Sequence, residues 1–373
     1  MQLPLSKGSL FDRIAWRWQG DSAPQDASLD FFYDLKFAQK ILIAPNDRVG
    51  GLFLGAPVYK LIRHAYPQAE IGLLVDVSKT EIAKQIPFVD EIVTAALEKS
   101  IWTDAFRRSR TELQRREIDV LFCLGSDCSF RLAMLCKDSG AKMRVGFARE
   151  GIEPFNVEII GQSSEEYEVK KYLSLLKTIG VEGNAELQWS LAKDNAEQVR
   201  TRFFDEEDGS TPIVGIDLAS GEGKGLAKRQ FDDIVGRIIE RGARALLFFS
   251  LAEKKTVNYL KETYGNRVIL FEQSDLLSSA ALLESCQVLI ACNTDLLHLA
   301  ISLQVPVVGV FAEKPERWID SENRKVGIVP VQDPRAATIG QIVEVLDGAL
   351  QEQRKREGKS QSEPLKSLGK RSR

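Results

Sequence analysis

Two short runs constrain the fold more than anything else in this chain: Ile213–Ala219 reads IVGIDLA and Val305–Phe311 reads VPVVGVF. A strand with one wet face alternates apolar and polar residues, whereas a strand that is apolar at consecutive positions needs cover on both faces. Helices supply that cover in α/β proteins, so the runs predict parallel sheets sandwiched between helices. The rest of the chain repeats the pattern, with short β-branched runs followed by segments of helical period. In the first half strands are predicted at Lys40–Ala44, Ile71–Asp76, Glu91–Thr94, Asp119–Gly125, Met143–Phe147 and Val157–Ile160. Helices are predicted near Gly51–His64, Thr80–Gln85, Thr103–Arg116, Ser129–Asp138 and Glu165–Ile179. In the second half strands fall at Ile213–Ala219, Ala245–Ser250, Arg267–Phe271, Val288–Ala291, Val305–Phe311 and Lys325–Pro330. The helices between and after them are Lys228–Arg241, Ala252–Thr263, Leu276–Glu284, Asp295–Leu303 and Thr338–Gln351.

Two such series predict an α/β chain of two Rossmann-like, doubly wound domains facing a central cleft. The predicted boundaries are an N-terminal extension over 1–38, a first domain over 39–185 and a polar linker over 186–210. A second domain follows over 211–350, its last helix returning to the first domain, and then a disordered basic tail over 351–373. Each sheet offers strand C-termini and helix N-termini on one edge, where ligands of open parallel sheets bind. A cleft between two such edges suits a two-substrate transferase, and two-domain dehydrogenases and binding proteins share the architecture.

Composition narrows the partners. Lys+Arg 50 against Asp+Glu 53 leaves a net charge of −3, which disfavours a general nucleic-acid surface. Residues 351–373 go the other way, with eight basic and three acidic residues. They read either as a solubilising end or as an electrostatic foothold on anionic lipid. Phe11, Ile14, Trp16 and Trp18, beside Arg13 and Arg17, could form a short amphipathic segment. No run approaches the ~18 apolar residues of a membrane span, and the start of the chain lacks a signal-peptide pattern. The five cysteines lie largely inside apolar runs without CxxC, as reduced thiols of a cytoplasmic protein do. Two histidines exclude a His-rich metal centre.

Four loops could carry chemistry. Ala44–Gly51 (APNDRVGG) follows the first strand and opens a helix, so it is either a tight turn or a place where backbone N–H groups meet an anion or hydroxyl-rich ligand. Ala219–Gly225 (ASGEGKG) puts three glycines, a hydroxyl and a lysine between strand and helix, which suits a phosphate; a flexible solvent loop is the alternative. In Cys292–Ala300 (CNTDLLHLA), Thr294 and Asp295 suit a helix N-terminus, and His298 shares a face with Asp295. Read alone, that is an ordinary cap with a hydrogen-bonded histidine. Glu253 follows a strand where a carboxylate can bind ribose, or where it simply joins the first turn of a helix.

Taken in order, these segments resemble the heptosyltransferases of lipopolysaccharide core synthesis (glycosyltransferase family 9). The likeness covers about residues 40–350. ILIAPNDRVGGLFLGAPVYKLIRHAYPQAEIGLLVD is similar to the family's opening strand, R-x-D-x-x-G-D loop, helix and second strand. FCLGSDCSFRLAMLCKDSGAKMRVGF, YEVKKYLSLLKTIGV, ASGEGKGLAKRQF and CNTDLLHLAISLQVPVVGVFAEKPERW resemble its later motifs in the same order. The resemblance implies the GT-B architecture and an inverting, metal-independent glycosyltransferase that uses no cofactor. Its donor would be a nucleotide-diphosphate sugar such as ADP-heptose, its acceptor a lipid-linked, cell-surface glycan, and its place the inner face of the membrane. It implies that Ser220, Gly221 and Lys224 hold the diphosphate and Glu253 the ribose. Asn293, Thr294, Asp295 and His298 would face the donor, and Gly50, Gly51, Ser126 and Asp127 the acceptor. Lys224 would stabilise the leaving diphosphate and Asp47, or else Asp127, would be the base; Asp47 reads alternatively as a cap of its own loop. The family's presumed base, the aspartate of G-D, falls on Gly51; its K-R-W arginine and tryptophan fall on Gly225 and Leu226; its D-T-G reads Asn293-Thr294-Asp295; and the histidine opening its H-x-V helix is Tyr167. A relative that binds a nucleotide sugar or a partner without turnover is the competing reading. An NAD-type dehydrogenase ranks last, because no GxGxxG follows any strand.

Overall fold

The computed structural model describes residues 30–362 apart from Val49, Glu150, 161–165, 185–192, 205–210, 220–224, Ser274, 313–314, Ser321 and Arg324. The chain divides into two compact units, Met1–Trp189 with Glu316–Trp318, and Ser190–Pro315 with Ile319–Arg373.

The first unit is built on β1 (Lys40–Ala44), β2 (Glu70–Asp76), β3 (Glu91–Ala95), β4 (Val120–Cys123), β5 (Met143–Phe147) and β6 (Val157–Ile159). All pair in parallel in the order β3-β2-β1-β4-β5-β6. Ile41 stands between Ile71 and Val120, so the apolar run of β1 occupies the middle of the sheet, covered on both faces. The second unit repeats the plan with β7 (Ile213–Asp217), β8 (Arg244–Phe249), β9 (Val268–Glu272), β10 (Val288–Cys292), β11 (Val307–Phe311) and β12 (Val326–Pro330). Its order is β12-β11-β10-β7-β8-β9, again wholly parallel. The two runs that opened the sequence argument are β7 and β11, buried at every position. At ~1.5–3 kcal/mol for each buried Val, Leu or Ile side chain, these strands are a main source of each unit's stability. The twelve predicted strands are all present, with ends displaced by one or two residues.

The helices depart from expectation in three places. Periodicity predicts one helix over Gly51–His64, but the chain forms Gly51–Leu54 and Ala56–Ala65, broken at Gly55. Pro57 has no N–H to offer the Phe53 carbonyl, and the Tyr59 hydroxyl donates to the Leu52 carbonyl at 2.7 Å. The stretch read as a linker contains a helix, Lys193–Phe203. Arg200 pairs with Glu284 at 2.6 Å, and the Phe203 ring meets Phe271 edge-on, which fastens this helix to the second unit.

The last helix is the third correction. It runs from Ile339 to Ser362, so residues predicted as disordered tail up to 362 are helical, and 363–373 lie outside the described residues. Its first turns pack on the second unit. Ile342 and Leu346 are buried in the second core with Val308, Val310 and Val329, and Asp347 takes a bidentate pair from Arg241 at 2.6 and 2.7 Å. Gly327 of β12 allows the close approach: a Cβ there would stand 2.3 Å from Val345. Of the C-terminal half, only the turn Glu316–Trp318 belongs to the first unit. Of the extension, Phe31–Lys36 is a short helix capped by Asp30, with Leu35 and Ala38 buried. The proposed amphipathic segment lies outside the described residues.

Candidate functional site

In each sheet the chain leaves the central pair of strands in opposite directions. The pair is β1 and β4 in the first unit and β7 and β10 in the second. Such switch points open a crevice at the strand C-termini, where open parallel sheets take ligands.

At the first crevice the loops after β1 and β4 interlock. Asn46, 2% exposed, donates from Nδ2 to Asp127 Oδ1 at 2.9 Å and accepts the Arg48 N–H on Oδ1 at 3.1 Å. Arg48 Nε donates to the Asp127 carbonyl at 3.1 Å. Asp47 Oδ1 accepts the Ser129 N–H at 2.8 Å, and Ser129 in turn caps the helix Phe130–Asp138. Asp47 therefore braces one loop against the other. Gly50 has φ 73°, a left-handed conformation for which glycine is suited. Close approach fixes the glycine on either side of Asn46. A Cβ on Gly51 would lie 2.0 Å from the Asn46 carbonyl oxygen, and one on Gly125 would lie 2.8 Å from Asn46 Cγ. Ser126, next to Gly125, is half-buried.

Arg317 completes this crevice. Its Nη2 donates to Asp127 Oδ2 at 2.6 Å and its Nε to Glu168 Oε1 at 2.8 Å, while its guanidinium stacks over Trp318. Glu168 and Lys171, 0 and 1% exposed, pair with each other at 2.7 Å. Burial pushes the Asp127 carboxyl up, but the Arg317 charge and the bonds from Arg317 and Asn46 outweigh it and hold the group below the ordinary carboxylate range.

At the second crevice the focus is Asp217, the last residue of β7 and 2% exposed. Thr294 Oγ1 donates to its Oδ2 at 2.6 Å, and the Ala219 N–H donates to its Oδ1 at 3.0 Å. Gln273 Nε2 reaches Oδ1 at 3.4 Å. Burial pushes the Asp217 carboxyl up to about 6, the bonds from Thr294, Ala219 and Gln273 pull it back, and the Glu253 charge adds to the rise. Thr294 also caps the helix Asp295–Ser302 by accepting the Leu297 N–H at 3.3 Å. His298 is buried and its Nε2 lies 2.8 Å from Asn293 Oδ1. An amide oxygen only accepts, so Nε2 carries the proton. His298 therefore stands behind Asn293, with Asn293 and Asp295 more accessible than it is. Glu253 Oε2 accepts both the Ser250 N–H at 2.9 Å and its hydroxyl at 2.6 Å, closing a capping box after β8. Asp217, Glu253, Asn293, Thr294 and Asp295 thus follow the C-termini of three adjacent strands. Ser220, Gly221 and Lys224 lie outside the described residues.

The description "glycosyltransferase family 9 (heptosyltransferase)" belongs to the family model that matches residues 106–341. The chain belongs to glycosyltransferase family 9. It is a glycosyltransferase. A putative glycosyltransferase of Haemophilus influenzae is 22% identical over 313 residues, which is 78% of this chain and 89% of that protein. Among solved structures, the family 9 glycosyl transferase of Veillonella parvula superposes with a TM-score of 0.73 at 16% identity, covering 86% of this chain and 99% of its own. The Escherichia coli ADP-heptose lps heptosyltransferase II gives 0.69 at 18% identity, covering 84% and 99%. These structural likenesses bear on the fold.

Within this family 9 chain, four residues at the crevices escaped the sequence reading: Asp217, Arg317, Glu168 and Lys171. Asp217 had a signal, because a lone carboxylate closing IVGIDLA has no solvent face to occupy. Glu168 and Lys171, three apart on one helix, also share a face that period alone assigns to the core. Nothing local marks Arg317, whose partners are 190 and 149 residues away.

Proposed function

We propose that this glycosyltransferase moves a sugar, heptose-like and carried as a nucleotide diphosphate such as ADP-heptose, onto a hydroxyl of a lipid-linked surface glycan. The reaction inverts the anomeric carbon and uses no metal or cofactor. The observation that carries the donor half is the convergence of Asp217, Glu253, Asn293, Thr294 and Asp295 on one crevice; in sequence, the glycine- and lysine-bearing segment follows β7. The acceptor oxygen attacks the anomeric carbon, the bond to the diphosphate breaks, and the nucleotide leaves with its electron pair. Lys224 and the backbone N–H groups of Ser220 and Gly221 stabilise the departing charge, the kind of preorganised electrostatics that supplies the largest catalytic share.

The acceptor sits against Gly50, Gly51, Ser126 and Asp127, and Asp47 takes its proton. Of the two aspartates there, Asp127 is the poorer base, because Arg317 and Asn46 stabilise its carboxylate. Asp47 is half-buried at the same loop and accepts the Ser129 N–H on Oδ1. The chain works at the cytoplasmic face of a membrane, where the basic segment 351–373 meets anionic lipid. No described helix is long and apolar enough to cross a bilayer.

One observation favours a second reading, a nucleotide-sugar binder without turnover: Gly51 stands where the family carries its aspartate. Acceptor-dependent release of ADP from ADP-heptose separates the two. Asp47→Asn keeps an oxygen for the Ser129 N–H, so it should lower turnover ~10²-fold or more with donor affinity unchanged. Donor binding with no release by the wild-type chain would establish the binder.

A further inference from the structure

The helix Asp104–Gln114 follows β3 and carries a cluster of arginines. From Trp102 to Arg116 there are five arginines and two acids. Ion pairs account for three of the arginines. Arg107 pairs with Asp104, Arg110 with Asp138 at 3.4 Å, and Arg116 with Glu91 and, at 3.4 Å, Glu112. Both acids of the segment are thereby engaged. Arg108 and Arg115 are exposed and make no ion pair among the described residues. Seven positions apart, they share one helix face with Thr111, where they line an open groove of about 770 Å³. Buried Phe106 and Leu113 attach the opposite face to the core.

The topology gives this face a direction. The helix runs back along a parallel sheet, so its N-terminus lies at the strand C-termini, the edge that also carries the loops after β1 and β4. Trp102, just before the Thr103 cap, is 60% exposed there, and so is Val77, which follows β2. The Glu98 N–H donates to Asp76 Oδ2 at 3.2 Å and ties the two loops together. An exposed indole before the helix and unpaired guanidiniums along its outer face are the residue types that settle at a bilayer interface, the ring at headgroup level and the cations against lipid phosphate.

We propose that this side of the first unit, with Trp102 before the helix and Arg108 and Arg115 along it, docks the enzyme on an anionic phospholipid surface. The proposal builds on a lipid-linked acceptor, but lipid binding is measured without donor or acceptor, so each can fail alone. The full chain is sedimented with vesicles of phosphatidylcholine alone or with phosphatidylglycerol added. Binding should require phosphatidylglycerol and weaken with salt. Arg108→Glu with Arg115→Glu should cut it at least ~10-fold, and Trp102→Ser should cut it on its own, with ADP affinity and circular dichroism unchanged. These side chains are exposed, so the variants fold. Binding that survives the double reversal but vanishes when 363–373 are removed would overturn the proposal in favour of the basic terminus. Equal binding to both vesicle types would overturn the electrostatic contact, and no binding would overturn the docking face.

Discussion

Replacing Asp217 by Asn tests the chemistry of the second crevice through stability. The carboxyl is buried at the end of β7 and its pKa is pushed up from 3.8 to about 6. Its proton is therefore held more tightly in the folded chain than in the unfolded one. Stability from this group is fully present below pH ~4 and is lost as pH rises through about 6. At about 1.4 kcal/mol per pH unit, the ionised carboxylate costs the folded chain about 3 kcal/mol at pH 7.5. Asn has the same shape without the charge. Its Oδ1 can accept from Ala219 and Gln273, and its Nδ2 can donate to Thr294 Oγ1, whose hydroxyl turns to allow it. The variant should match wild type at pH 4 and exceed it by up to about 3 kcal/mol at pH 7.5, roughly 6–12 °C in Tm for a unit of this size. Thermal and urea melts at pH 4, 6 and 7.5, followed by circular dichroism, read this directly. A difference that is independent of pH, or an Asn variant weaker than wild type at pH 7.5, would refute the raised carboxyl.

Gly51→Ala, and Gly51→Asp with it, should destabilise by about 1–3 kcal/mol or more, because a Cβ would lie 2.0 Å from the Asn46 carbonyl; an urea midpoint equal to wild type, or an Asp variant with gained transferase activity, would show that the loop yields. Arg317→Ala leaves Asp127 and the buried Glu168 without their shared cation, which should cost about 1–3 kcal/mol for acceptors left without that donor and let the Asp127 carboxyl rise towards its ordinary value, seen by NMR titration. Arg317→Lys should recover only part of this, since an ammonium lacks the fork that spans two carboxylates.

Much of the fold could be read from residue order because its signal is local. Runs such as KILIA, VLIAC and VVGVF specify buried parallel strands whatever lies around them. Helix continuity was harder. Gly55 and Pro57 break one helix that period alone would continue, and polar residues did not prevent Lys193–Phe203 from forming a helix against the second unit. The last helix shows the limit most clearly: its apolar stripe was legible, but the surface it covers is met by Gly327 on the strand before it and by Arg241, 106 residues from its partner Asp347. The candidate sites divide in the same way. Loops with glycine, hydroxyl and lysine announce themselves by composition, and Thr294 as a cap was legible from its place before a helix. The partnership of Thr294 with Asp217 and that of Asp127 with Arg317 join residues 77 and 190 positions apart, and only folding brings them together.

The central claim is that the second unit holds a nucleotide-diphosphate sugar through the loop after β7. Calorimetric titration of ADP into wild type and Lys224→Ala tests it most directly. A charge-assisted contact to diphosphate is worth ~1.5–3 kcal/mol. ADP should therefore bind the wild-type chain and bind Lys224→Ala ~10–100-fold more weakly, with both proteins melting at the same temperature. Equal affinity in the two proteins, or no ADP binding by wild type, would contradict the assignment of this crevice to the donor.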